Sequence, residues 1–162
     1  MNKTLLIGVG NAWRRDDGVG PSLVRALSTS ALPEQISLLE HHGEGLSLLD
    51  SWQGFTSVLI VDAIRARAPA GTLYCFDCIR DELPSGLFHY SSHQFGLAEA
   101  VALARTLDRL PQQLLVYGIV GTDFSHGEGL CAPVARSVER LAEQLRAKFV
   151  YDTLADFSSN KG

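Results

Sequence analysis

Ser57-Val-Leu-Ile-Val-Asp62 is the stretch on which the fold turns: four consecutive aliphatic residues lead straight into a carboxylate. A strand that is apolar at every position, rather than at alternate ones, is covered on both faces, as in a parallel sheet with helices above and below. Two further runs have the same character. Thr4-Leu-Leu-Ile-Gly-Val9 is closed by the turn-forming Gly10-Asn11, and Gln113-Leu-Leu-Val-Tyr-Gly-Ile-Val120 lies late in the chain. Working outward, Val19, Leu23 and Leu27 recur at helical spacing, with Pro21 suited to a first turn. Ile36-Ser-Leu-Leu39 reads as a strand, and Leu46 to Trp52 as a short helix. Pro69-Ala-Gly71 turns the chain into Thr72-Leu-Tyr-Cys-Phe76, a shorter strand at or near an edge. Leu97, Val101 and Ala104 mark another helix, and Leu130, Val134, Val138, Leu141, Leu145 and Phe149 form the apolar stripe of the last one. Strands alternating with helices across short connections predict an α/β fold: three layers, with a mainly parallel twisted sheet flanked by helices on both faces.

The chain has 162 residues, enough for one core that needs neither disulfide nor metal. Residues 1–150 are expected to form a single domain and the polar residues 151–162 a flexible tail; no internal repeat is visible. A net charge of −4, with no basic cluster longer than Arg14-Arg15, argues against nucleic acid, whose affinity rests on grouped cations. Lys3 precedes an apolar run that Gly8 and Gly10 interrupt at once, so a signal peptide is not expected, and no segment is long enough to span a bilayer. Three cysteines without an export signal suit reduced thiols, and the expectation is a cytoplasmic monomer.

Three residues with ligating chemistry follow separate core elements: Asp17 beyond the first strand, Asp62 at the end of its strand, and His93 at the start of a helix. Ligands of open α/β sheets bind at the carboxyl ends of the strands, so residues distant in sequence can converge there. Two carboxylates and an imidazole suit zinc, nickel, cobalt or manganese and leave positions open for water or substrate. A helix N-terminus would also hold His93 neutral, in its ligating form. Each residue has a plainer reading. Asp16 or Asp17 can cap the next helix, Asp62 can be a solvated strand end, and His93 can be a cap or a surface residue.

Other motifs carry less. Gly8-Val-Gly10 suggests a dinucleotide turn, with Glu40 as a ribose ligand, which keeps a Rossmann-like nucleotide-binding module as a rival. The third glycine of that motif is replaced by Trp13, whose bulk would obstruct helix packing, and the acidic pair Asp16-Asp17 would repel phosphate. Cys75-Phe-Asp-Cys78 lacks the further ligands that structural zinc needs. No serine or cysteine lies in a recognisable nucleophile motif, and His41-His42-Gly-Glu44 lacks the spacing of a zinc-protease helix.

Gly8-Val-Gly-Asn-Ala-Trp-Arg-Arg-Asp-Asp-Gly-Val-Gly20 resembles the opening motif of hydrogenase maturation endopeptidases, in which a Gly-x-Gly-Asn turn precedes an acidic pair and glycines. Ile60-Val-Asp62-Ala63, Ser92-His93-Gln94-Phe-Gly-Leu97 and Gly121-Thr-Asp-Phe-Ser, with Gly127-Glu-Gly-Leu130, resemble that family's later segments in the same order, and the likeness spans residues 3–148. The resemblance implies a twisted sheet flanked by helices and an endopeptidase that cuts a C-terminal extension from the large-subunit precursor of a nickel-iron hydrogenase once nickel is inserted. It places the family's metal-contacting positions on Asp17, Asp62 and His93, as catalytic or nickel-recognition residues, and leaves Asp16 as a cap or supporting residue. It implies nickel carried by the substrate and no organic cofactor. The rival within metal chemistry is a metallohydrolase with its own bound ion. The sequence departs from the family at Glu40-His41-His42-Gly43-Glu44-Gly45, where the family often has a small glycine-rich turn. That loop is expected to border the substrate cleft and could add ligands.

Overall fold

The computed structural model describes residues 2–88 and 95–159. Five strands, β1 (Thr4–Val9), β2 (Ile36–His41), β3 (Ser57–Ile64), β4 (Leu73–Asp77) and β5 (Gln113–Val120), form one sheet in the order β2-β1-β3-β5-β4. All neighbours are parallel except β4, which runs antiparallel to β5 at the edge. Among the described residues, four α-helices accompany them: α1 (Val19–Ser28), α2 (Gly45–Ser51), α3 (Leu97–Thr106) and α4 (Ala132–Ser159). The fold is the expected three-layer α/β arrangement.

Side chains of a strand alternate between its faces, and here the alternation sorts the core into two halves. Leu5, Ile7 and Val9 of β1, with Val58 and Ile60 of β3, join α2 and α3, including Leu48, Trp52, Leu97 and Val101. Leu6 of β1, with Leu59, Val61 and Ala63 of β3, joins α1 and α4, including Leu23, Leu27, Val138 and Leu145. Both sides of β1 and β3 are therefore dry, which is why these strands read as continuous apolar runs. Burial of this kind stabilises by roughly 1.5–3 kcal/mol per large aliphatic side chain.

Three local expectations are corrected. β3 does not end at Asp62 but continues to Ile64, because Asp62, Ala63 and Ile64 pair with Gly118, Ile119 and Val120 of β5. Trp13 does not obstruct packing. It is 66% exposed, and the close approach of helix to strand is made instead by Gly8 and Gly20. A Cβ on Gly8 would lie 2.2 Å from the Gly20 carbonyl oxygen, so α1 can rest on β1 only without side chains there. Finally, residues 151–159 are helical where a flexible tail was expected, since α4 runs on to Ser159. Its buried residues nevertheless end at Phe149, and Val150, Tyr151, Leu154 and Phe157 beyond are exposed.

Candidate active site

The topology sets where a cleft can open. After β1 the chain moves to β2 on one side of the sheet and then to β3 on the other, so the loops leaving β1 and β3 part. Such a switch point is where open α/β sheets hold ligands. β1 stops at Val9, and its last pairing with β3 joins Gly8 to Val61, so Asp62 is the first β3 residue without a β1 neighbour. A small cavity of about 20 Å³ opens there, lined by Val9, Gly10, Asp17, His42, Gly43 and Asp62, with Phe88 and Leu97 also at its wall.

Asp17 reaches this cavity through a short 3-10 turn, Arg15–Gly18, that precedes α1. Gly10 has φ +139, and a Cβ there would lie 1.9 Å from the Asp17 carbonyl oxygen, so the turn closes only on glycine. The Asn11 backbone N–H donates to Asp17 Oδ2 at 2.9 Å, while Asn11 Oδ1 accepts the Trp13 N–H at 2.9 Å. Burial pushes the Asp17 pKa up from its ordinary 3.8, with the Asn11 bond and the Arg14 charge opposing the rise. Asp62 is pushed well above 3.8, first by burial and then by the negative charge of Asp17, and the hydrogen bond from the Ala63 backbone offsets only part of this. The Asp17 charge thus reaches Asp62, and the two carboxylates line one cavity.

Asp16 behaves differently. It is fully buried, and its carboxylate accepts the N–H groups of Thr122 (2.9 Å), Asp123 (3.0 Å) and Cys131 (2.8 Å), with the Cys131 thiol donating at 3.3 Å. Burial alone would raise its pKa, but these donors outweigh it and hold the carboxyl below 3.8. Neither aspartate caps α1, whose N-cap residue is Gly18 with no side-chain cap.

The third expected residue, His93, lies outside the described residues. α3 begins at Leu97 after its N-cap Gly96, whose N–H is accepted by Glu99 Oε2 at 3.2 Å. Among the described residues no group of three or more His, Cys, Asp or Glu could hold a metal ion. Glu40, the suggested ribose ligand, is turned to Arg25 in a 3.0 Å ion pair. His42 was not singled out by the sequence beyond its unusual loop, yet it lines the cavity with both carboxylates. A larger groove of about 400 Å³ beside α3 contains Glu82, Glu99 and Arg105, but the Arg105 guanidinium is occupied by the carbonyl oxygens of Cys78, Ile79 and Asp81.

The family model described as hydrogenase maturation protease (HycI) matches residues 21–148. The chain belongs to this family. It is 30% identical over 149 residues to the hydrogenase 2 maturation protease of Escherichia coli K12, covering 90% of this chain and 89% of that one. It is 31% identical over 149 residues to the hydrogenase expression/formation protein HoxM of Cupriavidus necator, covering 86% of this chain and 72% of that one. Among solved structures, the hydrogenase maturating endopeptidase HybD from E. coli superposes with a TM-score of 0.78 at 28% identity, covering 93% of each chain.

This protease is thus an endopeptidase of hydrogenase maturation, and the fold explains why its glycine-rich segments occur together. Arg15 N–H donates to the Gly127 carbonyl at 3.0 Å, Gly127 N–H to the Trp13 carbonyl at 2.8 Å, and Asp16 N–H to the Asp123 carbonyl at 2.9 Å. Asp16 completes the clasp from inside. The segment after β5 therefore braces the turn that presents Asp17. Among the described residues, no helix of the protease is long and apolar enough to cross a membrane.

Proposed function

We propose that this protease removes the C-terminal extension of a nickel-iron hydrogenase large-subunit precursor after nickel insertion, in the cytoplasm. Asp17, Asp62 and His93 contact the nickel that the precursor carries. The observation that carries this reading is the pair of desolvated carboxylates, Asp17 and Asp62, brought from separate elements to one narrow cleft at the switch point of the sheet. Two such groups repel each other when ionised, and a divalent cation between them relieves the repulsion. The nickel is cargo of the substrate, so it arrives already ligated, and an open donor set suffices to recognise it. No organic cofactor enters this scheme.

Within it, Asn11 and the clasp around Asp16 orient the Asp17 carboxylate, and Asp62 stands on the rigid floor of β3. Water is the nucleophile that suits the described residues. Cys131 donates its thiol to Asp16, and Cys75 and Cys78 lie on or just beyond the edge strand β4, with thiol pKa values raised by burial, that of Cys78 to about 11. The nickel can then serve to place the scissile peptide, and a metal so placed can also polarise its carbonyl.

The test is cleavage of a nickel-loaded precursor, read as the mass of its C-terminus. Asp17→Asn and Asp62→Asn should each leave the protease folded and the precursor uncut. Normal processing by either variant would remove that residue from the site.

A further inference from the structure

The turn that carries Asp17 inward carries Trp13 outward. Arg14 N–H donates to the Asn11 carbonyl at 3.1 Å and Asp17 N–H to the Arg14 carbonyl at 3.0 Å, so the segment from Asn11 to Asp17 is held by its own backbone. At Arg15 the chain takes φ +44, a left-handed conformation that non-glycine residues rarely adopt, and the bond from Arg15 N–H to the Gly127 carbonyl fixes it there. Trp13 is anchored through both of its backbone groups: its N–H donates to Asn11 Oδ1 at 2.9 Å, and its carbonyl oxygen accepts the Gly127 N–H at 2.8 Å. Its side chain is nevertheless 66% exposed. The other tryptophan, Trp52, is buried and donates its indole N–H to the Arg109 carbonyl at 3.1 Å. Folding therefore uses one indole and leaves the other in water. Trp13 stands three residues after Gly10 and four before Asp17, both of which line the cavity. The flanking cations are turned elsewhere, Arg14 to the Phe124 carbonyl at 3.2 Å and Arg15 to Asp123 at 3.6 Å, so what this loop presents beside the cleft is a flat apolar surface.

We propose that Trp13 is a docking residue for the precursor, its indole packing against an apolar side chain of the segment that enters the cleft. The inference rests on the reading of the cleft under Proposed function. The occupant follows from continuity with the site. Asn11 bonds Trp13 through its Oδ1 and Asp17 Oδ2 through its own N–H, so one residue sets both the indole and the carboxylate, and a partner that covers the first is brought into register with the second. An aromatic side chain on a backbone that is already ordered covers apolar area with little further loss of freedom, which is why tryptophan is prominent among the residues that dominate protein interfaces.

Steady-state processing of the nickel-loaded large-subunit precursor by the full-length protease is compared for wild type, Trp13→Phe and Trp13→Ala, with thermal melts to confirm the fold. Trp13→Ala should raise KM about tenfold or more and leave kcat within about twofold of wild type, while Trp13→Phe, which keeps a flat ring, should recover most of the loss. A second readout is independent of turnover. Protease labelled with 5-fluorotryptophan gives two fluorine signals, of which that of Trp13 is identified by its absence in Trp13→Phe. Unlabelled precursor, kept uncut by Asp62→Asn in the labelled protease, should shift that signal and leave the Trp52 signal in place. An unchanged KM for Trp13→Ala, a fall in kcat alone, or a Trp13 signal that precursor does not move overturns the proposal. So does a wild-type dimer that Trp13→Ala dissolves without effect on KM, which would assign the indole to a second copy of this chain. Failure of the underlying reading is seen separately, as normal precursor processing by Asp17→Asn and Asp62→Asn. If those variants are inactive while Trp13→Ala keeps the wild-type KM, the reading stands and Trp13 is not a docking residue.

Discussion

Asp16 and Asp17 are adjacent in the chain and opposite in consequence. The Asp16 carboxyl is held below 3.8, so between its folded value and 3.8 the unfolded chain binds more protons than the native one. Its contribution to stability is complete above pH 3.8 and is lost as pH falls through the folded value. Asp16→Asn leaves the Thr122, Asp123 and Cys131 donors without their charged acceptor and should destabilise by about 2–4 kcal/mol at pH 7, measured by chemical denaturation. Asp62 has the reverse sign. Its folded pKa is raised, the native state retains a proton that the unfolded chain has lost, and stability falls as pH rises from 3.8 through the folded value. Asp62→Asn should therefore raise Tm at pH 7 by roughly 2–4 °C, a gain of about 1 kcal/mol, while abolishing processing. A lower Tm would show that the carboxylate is structural. The sequence offered both aspartates as helix caps because their true partners lie far away: the donors to Asp16 are 106 to 115 residues distant, and no local pattern announces them. Asp62 drew notice as an acid directly after four aliphatic residues, a pattern that also fits a solvated strand end, and the structure puts it in the cavity lining.

At the scale of elements, the contact of α1 with β1 is the most sensitive joint, since each of Gly8 and Gly20 faces the backbone of the other's element. A Cβ on Gly20 would lie 2.3 Å from the nitrogen and the oxygen of Val9. Gly20→Ala should cost about 1–3 kcal/mol or more, whereas Gly86→Ala, whose Cβ meets nothing within 4 Å, should stay within about 0.5 kcal/mol. Equal effects in a denaturation series would contradict the close-packing account. Gly10→Val should fail through both its φ and its clash with Asp17, with loss of processing as well as stability. The far end of α4 is the least sensitive part. Removing residues 152–162 forfeits the 2.6 Å bond from Gln35 to Thr153 and the exposed Lys148–Asp152 pair, but none of the helix's buried residues. The loss should be no more than about 1 kcal/mol, and one above 3 kcal/mol would mean that the exposed stretch from Tyr151 to Phe157 supports the fold. Helix existence was legible from the 3.6-residue stripe, but the end of α4 was not, because a solvated helix continued by its own hydrogen bonds needs no apolar periodicity.

For the whole molecule, the parallel order and the switch between β1 and β3 follow from runs too apolar to face water on either side. The antiparallel placement of β4 was visible only as a weaker, edge-like run. The cleft then follows from topology, and the family likeness from four ordered segments, two of which the fold clasps together around Asp16. The place of His42 at the cavity wall was hidden, because a loop histidine reads alike whether it faces solvent or a cavity. The central claim is that Asp17 and Asp62 serve a metal the substrate carries, and one measurement addresses it directly. Purified protease, treated with chelator and then freed of it, is incubated with large-subunit precursor in nickel-loaded and nickel-free forms, and the C-terminus is weighed by mass spectrometry. Cleavage of the loaded precursor alone, by protease without stoichiometric metal of its own, is the result this account predicts; equal cleavage of the nickel-free precursor, or activity that returns only when metal is restored to the protease, would contradict it and favour a self-sufficient metallohydrolase.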